Sequence, residues 1–442
     1  MAAELQPVIV VGGGWGGLAC AVELSRLGHP VTVLEAAKQL GGRARRVPFN
    51  ELTVDNGQHV MLGAYQHTLN LLQQLKVPLE SALQRDKLAL CLQDCHGKSW
   101  QLQLPHLLTP LNLFAGLLRA RGFTLRDRWH ALRFGLKLFT NSFRLDDDPS
   151  VAAFLISQRQ TRNVIAALWE PICLASLNTP IEEASARIFI RVLHDSFCKS
   201  HRDADMIIPR TDLGALLPDP AFDYIEQQGG FVHLSQRVTS LVIRGRHVEG
   251  VICEDNKYQA PQVVLAIPPH ACQVLIKDHP ALHDIAYNLS GFSYHPICTI
   301  YLQYPASVQP DRPMQGLLGG TTQWIIDRRM CGQPGLIAAV ISGPGPHMHL
   351  DNGELTQQVL AELHECFPHW PAVEDVLVIR EKRATFSCRS GITAIRPDNA
   401  SPVKGLWFAG DFTNTGYPAT IESAIISGTQ TAQRIHHEST AQ

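Results

Sequence analysis

The chain lacks an excess of charge of either sign and lacks long apolar runs. Among its 442 residues, Lys and Arg total 38 and Asp and Glu total 40, so the formal net charge is −2. Without a basic surplus, binding to nucleic acid is not expected. No run of ~18 apolar residues could cross a bilayer, and the N-terminus lacks the basic region of a signal peptide. These absences predict a cytoplasmic protein and restrict any membrane contact to the periphery.

Motifs for disulfides, metal binding and hydrolysis are also missing. The eleven cysteines are scattered and none belongs to a C-x-x-C pair, which predicts a reducing compartment. Twenty histidines are present, but the segment from His364 to His369 has the wrong spacing for H-E-x-x-H and contains Pro368. No metal site is therefore expected. A G-x-S-x-G elbow is absent as well, which argues against a Ser/His/Asp hydrolase.

The pattern that is present near the N-terminus is that of a dinucleotide-binding unit. A β-branched run precedes the glycine-rich segment 12–17, and a helical segment and a second apolar strand then lead to Glu35. Gly12 suits the tight turn, Gly14 lets the backbone approach a pyrophosphate, and Gly17 lets the helix pack on the strand. The helix N-terminus offers N–H groups to the phosphates, and Glu35 is expected to accept a ribose hydroxyl.

Further segments indicate which dinucleotide binds. The stretch directly after Glu35, residues 36–44, contains Gly41-Gly42-Arg43, and near the other end an apolar strand closes on Gly410-Asp411 before a last helical segment. Internal apolar runs around Val238 and at 263–269 lie between these ends. In this order the segments resemble the flavin motifs of the amine oxidase and phytoene desaturase superfamily. The resemblance implies FAD, bound without a covalent link.

The same resemblance implies where the parts of FAD lie. Arg43 is expected near the diphosphate, Asp411 at the ribityl chain and Val238 against the adenine. Thr420 is expected to cap the last helix, so that the Ile421 N–H faces the flavin pyrimidine oxygen. The expected FAD-binding residues are Gly12, Gly14, Trp15, Gly17, Glu35, Ala36, Gly42, Arg43, Gly57, Gln58, His59, Val238, Gly410, Asp411, Thr420 and Ile421.

Because the flavin segments are separated along the chain, we expect a discontinuous cofactor domain. The predicted fold is α/β, with a Rossmann-like FAD-binding domain interrupted by an inserted α+β substrate domain. The FAD-binding domain is expected to comprise residues 1–75, 225–270 and 395–442. Residues 76–224 and 271–394 are assigned to the substrate domain.

A helical insertion at 105–140 allows two interpretations. Its later part has two sets of residues on different helical faces, one apolar and one basic: Trp129, Leu132, Leu136 and Phe139, and Arg126, Arg133 and Lys137. It is either a helix packed on the core with a solvated face, or a basic amphipathic surface that rests on anionic lipid and admits a lipidic substrate. The second interpretation places the protein on the cytoplasmic face of the inner membrane.

Three segments narrow the resemblance within the superfamily. They are Asp55-Asn56-Gly57-Gln58-His59 with its continuation to Tyr65, Leu177-Asn178-Thr179-Pro180, and the stretch 414–424. These resemble the squalene-associated FAD-dependent desaturases, and the resemblance implies conversion of hydroxysqualene, a C30 isoprenoid, to squalene with reduced FAD. An amine substrate is not expected, because the strand at 294–301 lacks the lysine of amine oxidases.

The implied reaction needs a proton donor. Loss of an allylic hydroxyl as water leaves a delocalised cation, which a hydride from reduced FAD can trap. His59 is the expected donor because histidine titrates near neutral pH and the D-x-G segment of related flavoenzymes passes the flavin. Asp55 and Tyr65 are the alternatives. Two other interpretations stay open. In these, His59 contacts the flavin, and Asp55 orders its own turn through hydrogen bonds to the backbone.

Other functions also fit these motifs. One is a carotenoid or phytoene desaturase, and another is a flavoprotein without turnover that binds prenyl lipids beside squalene-forming enzymes. The sequence contains no second G-x-G-x-x-G unit for NAD(P)H. The electron donor of the flavin is therefore not indicated.

Overall fold

The computed structural model describes residues 5–143, 145–254 and 256–440. The strands in these ranges are β1 (Val8–Val11), β2 (Val31–Leu34), β3 (Arg46–Phe49), β4 (Leu52–Asp55), β5 (Met61–Leu62), β6 (Leu83–Asp86), β7 (Ala89–Asp94), β8 (Ser99–Gln103), β9 (Met206–Pro209), β10 (Phe231–His233), β11 (Val238–Arg244), β12 (His247–Cys253), β13 (Asn256–Gln259), β14 (Gln262–Leu265), β15 (Tyr294–Gln303), β16 (Met314–Leu318), β17 (Trp324–Asp327), β18 (Leu336–Ser342), β19 (Asp375–Phe386) and β20 (Leu406–Phe408).

The α-helices of the same ranges are α1 (Trp15–Arg26), α2 (Gln66–Gln74), α3 (Leu79–Ala82), α4 (Leu111–Arg119), α5 (Leu125–Phe139), α6 (Val151–Ser157), α7 (Arg162–Val164), α8 (Glu170–Leu177), α9 (Ala186–Phe197), α10 (Leu213–Leu216), α11 (Pro218–Gln227), α12 (Pro269–Ile276), α13 (His283–Ser290), α14 (Asn352–Cys366) and α15 (Ile421–Thr440). A π-helical turn at Ile165–Trp169 joins α7 to α8. No helix in the described part of the chain is both long enough and apolar enough to cross a membrane.

A five-stranded parallel sheet lies at the centre of the cofactor-binding half, in the order β10-β2-β1-β14-β20. Strands β1, β14 and β20 are buried along their whole length, as expected of a parallel sheet covered on both faces. Helices α1 and α15 pack against each other beside it. Its strands come from the three segments 1–75, 225–270 and 395–442. The domain boundaries drawn from the sequence stay a prediction.

A seven-stranded mixed sheet forms the second half, in the order β19-β15-β18-β17-β16-β7-β8, with β16 and β7 parallel. Alternate residues of β15 face opposite sides of this sheet. Cys298, Ile300 and Leu302 pack in the apolar cluster that includes α14. Tyr301 faces the other way and donates a hydrogen bond from its hydroxyl to the Asp55 carbonyl oxygen at 2.9 Å. This second face of β15 therefore lies against the D-N-G-Q-H segment.

A helical subdomain, α4 to α9, sits beside the larger sheet. Thr124 and Asp127 form a capping box at the start of α5. The buried face of α5 carries Phe134, whose ring lies 4.8 Å from that of Trp169. The parallel sheet flanked by helices, together with this mixed sheet and helical part, confirms the expected α/β fold with an inserted α+β region.

Candidate active site

The glycine loop between β1 and α1 is close-packed at two glycines. Gly12 has a φ of +108°, and a Cβ placed on it would lie 2.5 Å from the Ala266 carbonyl oxygen. A Cβ on Gly17 would overlap the Gly12 carbonyl oxygen. Gly12 therefore excludes a side chain through its backbone conformation and this contact. Gly17 excludes one because the helix and the turn approach each other closely there.

Gly14 differs from its neighbours because the space beside it is open. The nearest atom to a Cβ built there is the Gly42 Cα at 3.9 Å. Gly14 is also the N-cap of α1, and no side chain caps this helix. The first N–H groups of α1 thus border a cradle that protein atoms leave unfilled, and this fits a pyrophosphate at a helix N-terminus. The Trp15 side chain points elsewhere, since its indole N–H donates to the Ala44 carbonyl oxygen.

Glu35 lies at the carboxyl end of β2, next to this loop. Its Oε2 accepts a hydrogen bond from the Gly13 N–H at 2.6 Å and its Oε1 accepts one from the Ala37 N–H at 2.7 Å, while Ala36 between them is exposed. Both carboxylate oxygens are therefore oriented by backbone and keep a lone pair for a ribose hydroxyl. The Gln236 N–H donates to the Glu35 carbonyl oxygen, which brings the start of β11, at Val238, to the same edge.

Two of the expected flavin motifs are in direct contact: the Gly41-Gly42-Arg43 segment and the Gly410-Asp411 turn. Arg43 Nη2 lies 2.6 Å from Asp411 Oδ2, and Arg43 Nη1 donates to the Ala384 carbonyl oxygen at 2.8 Å. Gly42, with a φ of +60°, passes against Gly14. The Asn56 amide donates to the Arg43 carbonyl oxygen. Arg43, the glycine loop, the Gly410-Asp411 turn and the D-N-G-Q-H segment thus form one continuous site.

The loop after Gly410 is organised by Arg396, which the sequence did not single out. This buried guanidinium donates hydrogen bonds to the carbonyl oxygens of Asp411, Thr413 and Tyr417. Burial lowers the pKa of Arg396 to about 10. The Gly410 N–H in turn donates to the Ser427 hydroxyl on α15. Arg396 and α15 therefore fix the path of the chain at the expected flavin edge.

At the N-terminus of α15, the Thr420 hydroxyl accepts a hydrogen bond from the Ser423 N–H, as an N-cap does. Ile421 is the first residue of this helix. Glu422 is buried and accepts hydrogen bonds from the His67 and Thr68 N–H groups, so it joins α15 to α2. Tyr65 lies at this junction beside Glu422, and burial raises the pKa of its phenol.

His59 is partly buried and is held by its own turn. Its Nδ1 lies 2.7 Å from the Gly57 carbonyl oxygen; because a carbonyl only accepts, Nδ1 carries a hydrogen and Nε2 is the nitrogen that gains and releases a proton. Burial lowers the pKa of His59, while the nearby Asp55 carboxylate opposes that shift. The ring is therefore neutral near neutral pH.

Asp55 and Gln58 belong to a buried polar network. Asp55 Oδ1 accepts a hydrogen bond from the Leu213 N–H at 2.8 Å, and Oδ2 lies 3.6 Å from Arg328 Nη1. Arg328 also donates to Gln58 Oε1 at 2.6 Å and to Gln333 Oε1. Burial raises the pKa of Asp55. In this position Asp55 orders α10 and the turn that carries His59.

The structural roles of two residues, Asn178 and Arg328, were not predicted from the sequence. Asn178 adopts the left-handed conformation at the end of α8. Its amide group donates to the Pro296 carbonyl oxygen on β15 and to the Thr385 hydroxyl on β19, and its Oδ1 accepts from the N–H of Gly343, the residue after β18. The L-N-T-P segment thus anchors the helical subdomain. Arg328 was missed because two of its partners, Asp55 and Gln58, are distant in sequence, and its own segment Asp327-Arg328-Arg329 matches no motif.

Known proteins resemble this chain along almost its whole length. Hydroxysqualene dehydroxylase of Sinorhizobium fredii is 26% identical over 96% of this chain and 97% of its own length. A zeta-carotene desaturase of Zea mays is 23% identical over 97% of this chain and 83% of its own length. In structure, an oxidoreductase from Methanosarcina mazei matches with a TM-score of 0.77 at 18% identity, over 97% of this chain and 100% of the other.

The family model of flavin-containing amine oxidoreductases matches residues 15–436, which is nearly the whole chain. A flavin cofactor fits the open cradle at Gly14 and the contact between Arg43 and Asp411. The chain therefore belongs to the flavin-containing amine oxidoreductase family and is an FAD-dependent oxidoreductase.

Proposed function

We propose that this enzyme converts hydroxysqualene to squalene by reductive removal of the allylic hydroxyl, within squalene and hopanoid biosynthesis. The observation that carries the proposal is the similarity, over almost the full length of both chains, to a hydroxysqualene dehydroxylase. The overall change is the replacement of a C–O bond by a C–H bond, with reduced FAD as the source of the hydride and one water released.

The residues at the site also argue against an amine substrate. None of the ten residues of β15 is a lysine, and its inward face carries Ile297, Thr299 and Tyr301. The strand therefore offers no ammonium group. Related amine oxidases flank the amine with two aromatic rings, for which this sequence offers Tyr417 and Phe386. Phe386 is buried against Phe292 and is not free to flank a substrate. An uncharged, largely apolar alcohol suits these surroundings better than an amine.

His59 is the proposed proton donor. Its Nδ1 is fixed on the Gly57 carbonyl oxygen, which leaves Nε2 for the substrate hydroxyl. A protonated ring would give its Nε2 proton to the leaving oxygen as the C–O bond breaks. Asp55 is the alternative donor, but both of its carboxylate oxygens face Leu213 and Arg328, so we assign it to positioning. Tyr65 stays the third candidate.

The direct test is anaerobic reoxidation. The purified protein with photoreduced FAD is mixed with hydroxysqualene, and the return of the oxidised flavin spectrum is followed. We expect full reoxidation at one substrate per FAD, and none with squalene or with a saturated alcohol of similar length. A reduced flavin that stays reduced in the presence of hydroxysqualene contradicts the proposal.

A desaturase is the second candidate, because a zeta-carotene desaturase also matches along most of this chain. The two functions run the flavin in opposite directions. A desaturase oxidises its polyene and therefore reduces FAD, whereas the proposed enzyme consumes reduced FAD. Bleaching of oxidised flavin by phytoene under anaerobic conditions would favour the desaturase.

We further propose that the protein docks on the cytoplasmic face of the inner membrane through its helical subdomain. Large apolar side chains are exposed across α4, α5, α6 and the loop before α4, which together we name the α4–α6 surface. Leu125 is 82% exposed and Trp129 is 66% exposed. The other exposed apolar residues of this surface are Leu107, Leu108, Leu111, Leu118, Leu136, Phe139 and Ile156. Nine large exposed apolar side chains in one subdomain are unusual on a surface that meets only water.

Basic residues border these side chains. Arg119, Arg121, Arg126 and Arg133 are exposed on α4, α5 and the turn between them. Apolar side chains with a basic border suit insertion into an anionic bilayer interface, which is also where a C30 isoprenoid is dissolved. Lys137 does not join this border, because its ammonium group donates to Gln158 Oε1 at 2.7 Å and lies over the Phe143 ring.

A further inference from the structure

Two cysteines that are distant in the chain meet at the end of α14. Cys95 lies in the turn between β7 and β8, and Cys366 is the last residue of α14. The Cys95 Sγ lies 4.0 Å from the Glu362 carbonyl oxygen, although 267 positions separate these two residues. In an α-helix this carbonyl oxygen points towards the residue four positions later, which is Cys366. The Cys95 thiol therefore lies beside the helical turn that ends at Cys366.

Hydrogen bonds hold the backbone on both sides of this contact. The Glu362 carboxylate accepts from the Thr321 and Thr322 N–H groups, in the turn between β16 and β17, at 2.7 and 2.9 Å. In the turn between β7 and β8, the Asp94 carboxylate accepts from the Lys98 N–H at 2.8 Å. The end of α14 and the β7–β8 turn are thus both anchored to the same edge of the mixed sheet.

The two thiols are in contact and reach solvent. The Cys366 thiol is hydrogen-bonded to that of Cys95, and burial together with this bond raises the pKa of Cys366 to about 12. Both side chains are nevertheless partly exposed, whereas Cys91 on β7 is buried. An accessible thiol with a second thiol next to it is the arrangement found in cysteine pairs that oxidants convert to disulfides.

We propose that Cys95 and Cys366 form an oxidative modification site, at which hydrogen peroxide produces a disulfide between the β7–β8 turn and α14. The Cys95 sulfur attacks the peroxide, an S–O bond forms as the O–O bond breaks, and a sulfenic acid and one water result. The Cys366 sulfur then attacks the sulfenic sulfur, and the hydroxyl group leaves as a second water with the Cys366 thiol proton. Two thiols thus lose two electrons and two protons, and one peroxide becomes two waters. We assign the first attack to Cys95 because a raised pKa makes the Cys366 thiol a poor nucleophile.

The disulfide would act on the stability of the chain rather than on the flavin site. It closes a loop that contains the whole helical subdomain, α4 to α9. A cross-link that closes a long loop restricts the unfolded chain and therefore favours the folded one. The glycine loop, Arg43 and Asp411 lie outside this contact, so the FAD content should not change.

Peptide mapping of the oxidised holoprotein is the first test. The protein is treated with a small excess of hydrogen peroxide, alkylated under denaturing conditions and digested with trypsin without a reductant. We expect a linked pair of peptides, and fragmentation must place the link at Cys95, because Cys91 lies on the same tryptic peptide. The melting temperature should rise by about 5 °C, and dithiothreitol should reverse both changes. Cys95→Ser and Cys366→Ser should show neither, whereas Cys198→Ser, which removes another partly exposed thiol, should match the parent.

Phenylarsine oxide provides the second test, because one trivalent arsenic bridges two neighbouring thiols without an oxidation step. The native parent and Cys198→Ser should each bind the arsenical at this pair, and Cys95→Ser and Cys366→Ser should not. None of these measurements depends on turnover of a substrate. Equal arsenical binding by the parent and Cys366→Ser, free thiols at both positions after peroxide treatment, or a link between Cys91 and Cys95 would overturn the inference.

Discussion

Arg43 and Asp411, separated by 368 positions in the chain, form an ion pair with 2.6 Å between Nη2 and Oδ2. The contact joins the segment that follows Glu35 to the turn at the end of β20. Asp411 is buried whereas the Arg43 side chain is about one-third exposed. The pair therefore fixes the two segments that we expect to bind FAD relative to each other.

We expect Arg43→Met to weaken FAD binding at least about tenfold, because it removes a cation from the site and leaves the buried Asp411 carboxylate without its partner. Isothermal titration of the apoprotein with FAD measures the change. Arg434→Met, which removes an exposed ion pair with Asp398, is the control and should bind FAD as the parent does. Equal affinity in the parent and Arg43→Met would show that the pair is not part of the cofactor site.

Gly14 and Gly17 are expected to respond differently to a valine. At Gly14 the side chain would enter open space, so Gly14→Val should fold but lose FAD, since it fills the pyrophosphate cradle. At Gly17 it would collide with the Gly12 carbonyl oxygen, so Gly17→Val should not give folded protein. Flavin absorbance per protein and thermal melting of the apoproteins measure both effects. A folded Gly14→Val protein with full flavin content contradicts this account of the loop.

FAD should be released by acid precipitation of the parent protein. Cys388 lies in the segment 387–389, near the position at which related amine oxidases link their flavin. It is fully buried, and burial raises the pKa of its thiol to about 12. A thiol in that state is a poor nucleophile. Flavin that remained with the precipitate would contradict non-covalent binding.

The turnover rate should rise as the pH falls from 8 towards 6. Burial lowers the pKa of His59, so the imidazolium that donates the proton accumulates only on the acidic side of neutrality. His59→Gln should lower kcat by about two to four powers of ten, the usual range for a general acid, with an unchanged flavin spectrum and no such pH dependence. Asp55→Asn is the comparison for the alternative donor. If His59→Gln loses FAD instead, the residue is a flavin contact.

Stability should decrease as the pH falls below 7. His29 is buried, its Nδ1 lies 3.0 Å from the Gln6 carbonyl oxygen and its Nε2 lies 3.2 Å from His436 Nδ1. Burial lowers the pKa of His29, so the unfolded chain binds a proton at a higher pH than the folded chain does, and acid favours unfolding. His29→Gln should melt with a weaker dependence on pH between 7 and 5, whereas His96→Gln, at an exposed turn, should match the parent. If the melting temperatures of the parent and His29→Gln fell in parallel with pH, His29 and His436 would not be the cause of the lost stability in acid.

Vesicle binding should depend on the α4–α6 surface. Reversing the charges of Arg126 and Arg133 should weaken co-sedimentation with anionic vesicles at low salt, at about 1 kcal/mol for each basic residue near the surface. Leu125→Ser with Trp129→Ser should weaken it further at high salt, where charge is screened. Lys137→Gln is the control, because Lys137 is already bonded within the subdomain. Equal sedimentation of all variants would favour a helix packed on the core with a solvated face.

The sequence predicted best those features that depend on neighbouring residues. The glycine turn, the acid that ends β2 and the N-cap at Thr420 each follow from local backbone chemistry, and the structure places them as expected. On α5, periodicity identified the apolar stripe through Trp129 and Leu136, but not whether it is buried. The structure buries Phe134 and Leu138 and leaves Trp129, Leu136 and Phe139 exposed. Leu132, also in the predicted stripe, is half-buried against the core.

Features that depend on contacts between distant segments could not be predicted in this way. Arg328 and Arg396 are buried cations whose partners lie far along the chain or are backbone carbonyl oxygens. Arg396 leaves no local motif because a carbonyl partner can belong to any residue. Arg328 leaves none because Asp55 and Gln58 lie too far from it along the chain.

The central claim is tested most directly by the product of a single turnover. Reduced enzyme is mixed anaerobically with hydroxysqualene in deuterated water, and the lipid extract is analysed by mass spectrometry. The account predicts one squalene for each FAD oxidised, carrying one deuterium at the carbon that bore the hydroxyl. Recovery of unchanged hydroxysqualene would indicate a flavoprotein that binds prenyl lipids without turnover, and a product with an additional double bond would indicate a desaturase; either result contradicts the account.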